Sequence, residues 1–271
     1  MNSDLLKRKG ARRIQDIPTT VLKLLNEGLI ETVNLTEWLA VDHIQLVSNV
    51  FPSIGISNQE ILFIKETIKT QKKSSSMNTI KLVGQQLYRL YADRNNLNFL
   101  FEKLATHPSD SLRCYAPYLI ALNTQTTIEE KLNCSLSLIA DKHFGVREVV
   151  WMALRTEIEN DLTKAIDLMS HWAEHEDENI RRFTTEAIRP RGVWCKHIEA
   201  LKEKPELALP ILEKLKSDPS IYVQDSLANW LNDASKSQAN FVRNLAEKWL
   251  KDSPSKETER IIKRALRTLN N

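Results

Sequence analysis

Apolar residues recur every three or four positions through most of this chain, the spacing of helix faces rather than of strands. Pro18 suits the first turn of a helix carrying Val21, Leu22, Leu24 and Leu25 and ending near Gly28. Thr36 is a candidate cap for a helix bearing Trp38, Leu39, Val41, Ile44 and Val47, which stops before Pro52. A further helix is predicted over 58–71, a loop over 72–76, and a helix over 78–92 with Ile80, Val83, Leu87 and Leu90 at helical spacing. Residues 1–17, with Lys7, Arg8, Lys9, Arg12 and Arg13, read as a solvated tail or short helix, or as a basic arm for phosphate.

From about residue 95 the pattern repeats. Segments 112–121, 146–155, 180–189, 223–232 and 258–267 share one layout, and their starts are 34, 34, 43 and 35 residues apart. Each follows a more apolar helix, at 97–104, 128–139, 162–172, 205–215 and 241–250. Helix pairs at this period predict an all-α, HEAT-like solenoid, a curved right-handed superhelix of antiparallel helix pairs. The tetratricopeptide pattern is absent. Residues 1–95 read as an N-terminal helical region continuous with the solenoid, and 96–271 as the HEAT-like repeats. The long interval holds an insertion over 191–205 that carries Trp194.

Composition agrees. Six glycines in 271 residues, with 27% charged and 42% hydrophobic residues, favour a helical protein with a buried core. The net charge is only +3, yet the five repeated segments hold ten Lys and Arg against four Asp and Glu. That is +6 on one helix per repeat and −3 elsewhere. Arginine recurs at Arg113, Arg147 and Arg181 and again at Arg155, Arg189 and Arg267, which predicts a basic stripe on the concave face, suited to a polyanion. Cys114, Cys134 and Cys195 lack metal-ligand or CxxC spacing and read as reduced thiols. The N-terminus has no signal-peptide core, and no run approaches the roughly 18 apolar residues of a membrane span. A soluble, cytoplasmic monomer is expected, nucleoid-associated when bound to DNA.

No phosphate loop, HExxH, GxSxG or paired Cys/His cluster is present, and His143, His171, His175 and His197 lack ligand spacing. No metal or cofactor is expected. What remains is carboxylates and indoles beside arginines. Arg182, Glu186 and Arg189 fall on one helix face, as either a surface ion-pair ladder or a site. Glu148, Trp151 and Arg155 share a similar spacing one repeat earlier. Asp225 precedes Asn229, Asn232 and Asp233. Trp151 and Trp230 read equally as core residues or as ligand contacts. Trp194, in a loop with Pro and Gly, is less readily a core residue.

The segment Thr185-Glu-Ala-Ile-Arg-Pro-Arg-Gly-Val-Trp194 resembles the Ser-Glu-Gly-Thr-Arg-Pro-Arg-Leu-Pro-Trp segment of the AlkC family, bacterial alkylpurine DNA glycosylases built from HEAT-like repeats. The stretch 212–236, with Asp-Pro-Ser-Ile-Tyr-Val-Gln-Asp-Ser-Leu-Ala-Asn-Trp-Leu-Asn-Asp, is similar to a second segment of that family. The resemblance spans about 140–250 and, at the superfamily level, takes in AlkD-type enzymes. It implies that Glu186 is a catalytic carboxylate and Trp194 an active-site indole. The family's other glutamate falls on Trp151, with Glu148 one turn away, and Asp225 stands where the family has arginine. Some members carry a further immunoglobulin-like domain, which is not expected here.

The sequence therefore predicts a DNA glycosylase that excises cationic N-alkylated bases from double-stranded DNA without a metal. Glu186, with Glu148 or Asp225 as second acid, is the expected catalytic group. Trp151, Trp194 and Trp230 are expected to contact the lesion, and Arg147, Arg155, Arg181, Arg182, Arg189, Arg191 and Arg267 the phosphates. The alternatives are a non-catalytic DNA-binding repeat protein, for branched or damaged DNA, and a protein-binding scaffold.

Overall fold

The computed structural model describes residues 7–72, 75–94 and 96–269. Among them there are helices and no strands. The chain forms two compact units, one of residues 1–126 and 142–153, the other of residues 127–141 and 154–271. The expected boundary at residue 95 thus falls inside the first unit.

In the first unit a 3-10 turn, Ile14–Asp16, precedes α1 (Thr19–Asn26). Gly28, which follows, has φ +68°, and a Cβ there would press on Val50. Arg8 is not a mobile arm: it pairs with Glu37 at 2.7 Å and donates to the Glu31 carbonyl. The helix expected from Thr36 to Val47 is two helices, α2 (Leu35–Ala40) and α3 (His43–Val50). Asn34, not Thr36, caps α2 by accepting from Glu37 N–H. Asp42 then caps α3 by accepting from the N–H groups of Ile44 and Gln45. An Asp placed to cap a new helix ends the old one.

A capping box of Ser57 and Glu60 starts α4 (Asn58–Lys69), and Ser75 caps α5 (Ser76–Tyr91). Of the loop expected at 72–76, residues 73 and 74 lie outside the described residues, as do 1–6 of the expected tail, and Ser76 already belongs to α5. α6 (Leu97–Ala105) follows. The segment 112–121 divides into α7 (Asp110–Arg113) and α8 (Ala116–Ala121) because Pro117, near the start of α8, has no N–H to continue the helix. α8 packs against α5 and α6. Thr32, Asp110 and His143 form a buried hydrogen-bonded cluster: Thr32 Oγ1 donates to Asp110 at 2.8 Å and lies 3.0 Å from His143 Nε2. The long helix α11 (Phe144–Asn160) contributes its residues up to Ala153 to this unit.

The second unit begins with α9 (Ile128–Cys134) and α10 (Leu136–Ile139), separated at Ser135, whose hydroxyl donates back to the Lys131 carbonyl. Then come the last turns of α11, α12 (Leu162–Trp172), α13 (Glu178–Glu186), α14 (Glu199–Glu203), a 3-10 turn Pro205–Ala208, α15 (Leu209–Leu215), α16 (Ile221–Ser235), α17 (Ala239–Asp252) and α18 (Lys256–Ala265). The repeated segments of this unit stack directly: α13 packs on α16 and α16 on α18. The preceding, more apolar helices form the other row, with α12 against α15. This is the two-row packing of HEAT-like repeats predicted from the period. No helix among the described residues is long and apolar enough to cross a membrane.

Candidate nucleic-acid interface

Asp177 caps α13 by accepting from Asn179 N–H, and the helix, expected to stop at Pro190, ends four residues before it. Glu186 is its last residue. Only 3% of it is exposed, so the ladder of Arg182, Glu186 and Arg189 is not a surface feature. Ser226 on α16 donates to Glu186 Oε1 at 2.8 Å. Arg182 lies 3.6 Å from Oε1 and Arg189 3.6 Å from Oε2, longer than hydrogen bonds. Arg182 also lies over the Tyr222 ring at 4.3 Å. Arg189 reaches Asp233 with two donors, at 2.7 and 2.9 Å. Burial opposes its charge, but Glu186 and Asp233 outweigh that and raise its pKa.

The loop after α13 is closed by Ile198 N–H donating to the Pro190 carbonyl. Gly192 sits so close to Cys195 and Arg155 that a Cβ would collide with the sulfur. Trp194 is 63% exposed and has φ +62°, the only positive φ of a non-glycine among the described residues. A bulky residue held in the left-handed region and facing solvent is a strained, unburied indole, not a core side chain.

Other expected site residues have structural roles. Arg155 is 3% exposed, and its guanidinium donates to the carbonyls of Lys196, Ala187 and Arg189 at 2.7, 3.1 and 2.6 Å. Burial lowers its pKa. It ties the end of α13 to the Trp194 loop, and its donors are not available to a phosphate. Arg181 donates to the carbonyls of His175 and Glu176 and to Asp218 at 2.6 Å. In the first unit Arg113 does the same with the carbonyls of His107 and Pro108 and with Glu31. For Arg113 and Arg181 the recurrence therefore has a structural origin: each satisfies the carbonyls of the turn before its own repeated segment.

Trp230 is fully buried and donates Nε1–H to the Ile188 carbonyl at 2.9 Å. It is a core side chain with no surface to offer a nucleotide. Trp151, 2% exposed, lies in the first unit and donates to Glu148 at 2.9 Å. Arg147, also there, is half-buried. Asp225 is held by Arg260 at 2.7 Å and Arg264 at 3.0 Å. Arg191 donates to the Asp233 carbonyl and Ser237, and the exposed Arg267 to the Arg264 carbonyl and Asn229. The structure thus brings together Glu186, Arg182 and Arg189, with Trp194 on the loop that follows. Sequence reasoning missed Ser226, Tyr222, Arg260 and Arg264, because pairing between repeats leaves no mark in local spacing. Among the described residues no three His, Cys, Asp or Glu side chains converge as metal ligands.

No family model matches the chain. The uncharacterized protein YhaZ of Bacillus subtilis (strain 168) is 45% identical over 117 residues, which are 43% of this chain and 32% of that protein. Among solved structures, Pseudomonas fluorescens alkylpurine DNA glycosylase AlkC, bound to DNA containing an abasic site analog, is 24% identical with a TM-score of 0.67; the match covers 83% of this chain and 61% of that one. AlkD2 from Streptococcus mutans is 23% identical with a TM-score of 0.59, covering 77% of this chain and 96% of that one. The chain thus spans about a third of the curated relative and less than two thirds of AlkC. It has the HEAT-like helical-repeat fold of the AlkC and AlkD structures.

Proposed function

We propose that the protein acts in DNA alkylation repair, as a DNA glycosylase that releases cationic N-alkylated purines. The observation that carries this reading is the buried carboxylate of Glu186, set between Arg182 and Arg189 and followed by the strained, exposed Trp194. The fold shared with a glycosylase bound to DNA supports it.

A purine alkylated at N3 or N7 already carries positive charge and is a good leaving group. Its departure leaves an oxocarbenium-like sugar. Glu186 stabilises that cation, or orients and deprotonates the attacking water, with its Oε2 edge, whose partner is the 3.6 Å ion pair to Arg189. General-base help is worth roughly 10²–10⁴ in rate, and fixed charge adds to it. Trp194 packs on the lesion nucleotide. Arg182, Arg191 and Arg267, joined by Arg260 and Arg264, meet phosphates on the second unit.

A second reading is favoured by the engagement of the other acids. Glu148 accepts from Trp151 and Asp225 bridges two arginines, so a protein that binds DNA without turnover would look the same. Base release from DNA treated with N-methyl-N-nitrosourea, measured beside a salt titration of DNA binding, separates the two. The glycosylase releases 3-methyladenine or 7-methylguanine above the spontaneous rate. The binding protein shows salt-dependent affinity and no release, and absence of both defeats either reading.

A further inference from the structure

The hydroxyls behind Glu186 form a chain with a direction. Ser226 Oγ lies 2.8 Å from Glu186 Oε1 and 2.7 Å from Thr185 Oγ1, and Thr185 Oγ1 lies 3.0 Å from the Arg182 carbonyl. All three side chains are buried: Thr185 is 0%, Ser226 2% and Glu186 3% exposed. A hydroxyl carries one proton, and an ionised carboxylate only accepts. With Glu186 ionised, the Ser226 proton must point to Oε1, so the short contact behind it requires Thr185 to donate to Ser226. With Glu186 protonated, its proton goes to Ser226, that of Ser226 to Thr185, and that of Thr185 to the Arg182 carbonyl. Each state satisfies every group in the chain. The two differ by the turning of two hydroxyls and by the one proton that Glu186 has taken up.

We infer that Thr185 and Ser226 are positioning residues that hold Glu186 in either protonation state, as a group that takes a proton from water during the reaction requires. This rests on the proposed glycosylase reading for its catalytic meaning. Cooperative chains of this kind strengthen each bond, and the acceptor at the far end is the Arg182 backbone carbonyl, which cannot itself titrate. Ser226 comes from α16 and Glu186 from α13, so the chain also fixes the carboxylate across the repeat boundary.

The test is a variant series on the full-length protein with two readouts. One is the single-turnover rate of base release from methylated DNA. The other is the side-chain ¹³C carboxyl resonance of Glu186, assigned by comparison with Glu186→Gln and read without DNA. Ser226→Ala is expected to slow release about ten- to one-hundredfold, the loss of a hydrogen bond to a charged group, and to shift the resonance. Thr185→Val keeps the volume and removes the hydroxyl. Thr185→Ser loses the methyl and keeps the hydroxyl. The relay predicts that Thr185→Val slows release and shifts the resonance while Thr185→Ser recovers both, even where its melting temperature is the lower. A packing role predicts the reverse order, with rate following stability, and overturns the inference. An unmoved resonance in both Ser226→Ala and Thr185→Val also overturns it. If the wild type releases no base, the glycosylase reading fails by itself, and the resonance still decides whether the hydroxyl chain holds Glu186.

Discussion

The segments 112–121 and 180–189 occupy the same place in the repeat, one in each unit, and they differ where it matters. Arg113 and Arg181 do identical work, each donating to the carbonyls six and five residues earlier and pairing with a carboxylate. Beyond that arginine the first segment is apolar: Cys114, Tyr115 and Ala116 are all fully buried. The second places Arg182, Thr185, Glu186 and Arg189 instead, and then breaks the period with the Trp194 loop. The arginine that these two segments share is scaffold, and the residues that only the second one carries form the candidate site. Charge counted along the sequence blurs this, since both kinds of arginine raise the total.

The comparison can be broken at its hinge. Arg155→Met leaves three carbonyls without a donor, at about 1–3 kcal/mol each. A loss of about 4 kcal/mol in denaturant unfolding is expected, together with increased proteolysis of the loop around Trp194. A phosphate-binding Arg155 would instead show normal stability and weakened DNA affinity.

Acid should separate the units chemically. In the first, burial lowers His43 to about 4, opposed by the neighbouring Asp42, while its Nδ1 is bonded to Tyr115. The unfolded imidazole titrates near 6.5, so between about pH 6.5 and 4 the unfolded chain holds more protons than the folded one. Stability is therefore intact above that window and falls as the pH drops through it, by up to about 3 kcal/mol. His43→Asn should flatten this part of the pH dependence in chemical unfolding; an unchanged slope would assign it elsewhere.

Smaller effects sharpen the equivalence of the two arginines. Arg113→Ala and Arg181→Ala should each cost about 2–3 kcal/mol. If Arg181→Ala leaves stability intact and reduces the salt slope of DNA binding, the scaffold assignment of that position is wrong. Smallest in stability is Trp194→Ala, within about 0.5 kcal/mol because the side chain is exposed, with base release nonetheless down about tenfold, the scale of one lost stacking contact.

Much of this architecture is legible in the chain. The 34-residue period, the end of the helix before Pro190 and the insertion carrying Trp194 all follow from spacing and from residues that cannot continue a helix. The breaks at Asp42, Pro117 and Ser135 are less visible because the apolar period runs through them while a cap or a missing N–H overrules it. Partners are the least legible. The sequence displays Arg155, Arg181 and Arg189 as three positive charges, but not that the first faces carbonyls, the second Asp218 and the third Asp233, 44 residues away. Trp230 and Trp194 are the same residue type in the sequence, and only packing distinguishes the buried one from the exposed one.

The proposed function rests on Glu186 acting chemically on DNA. Its most direct test is the single-turnover release of 3-methyladenine by the wild type and by Glu186→Gln, which keeps the shape and removes the charge. Release by the wild type is expected well above the spontaneous rate, with a fall of roughly 10²–10⁴ in the variant. Equal rates for the two, both at the spontaneous level, would contradict it.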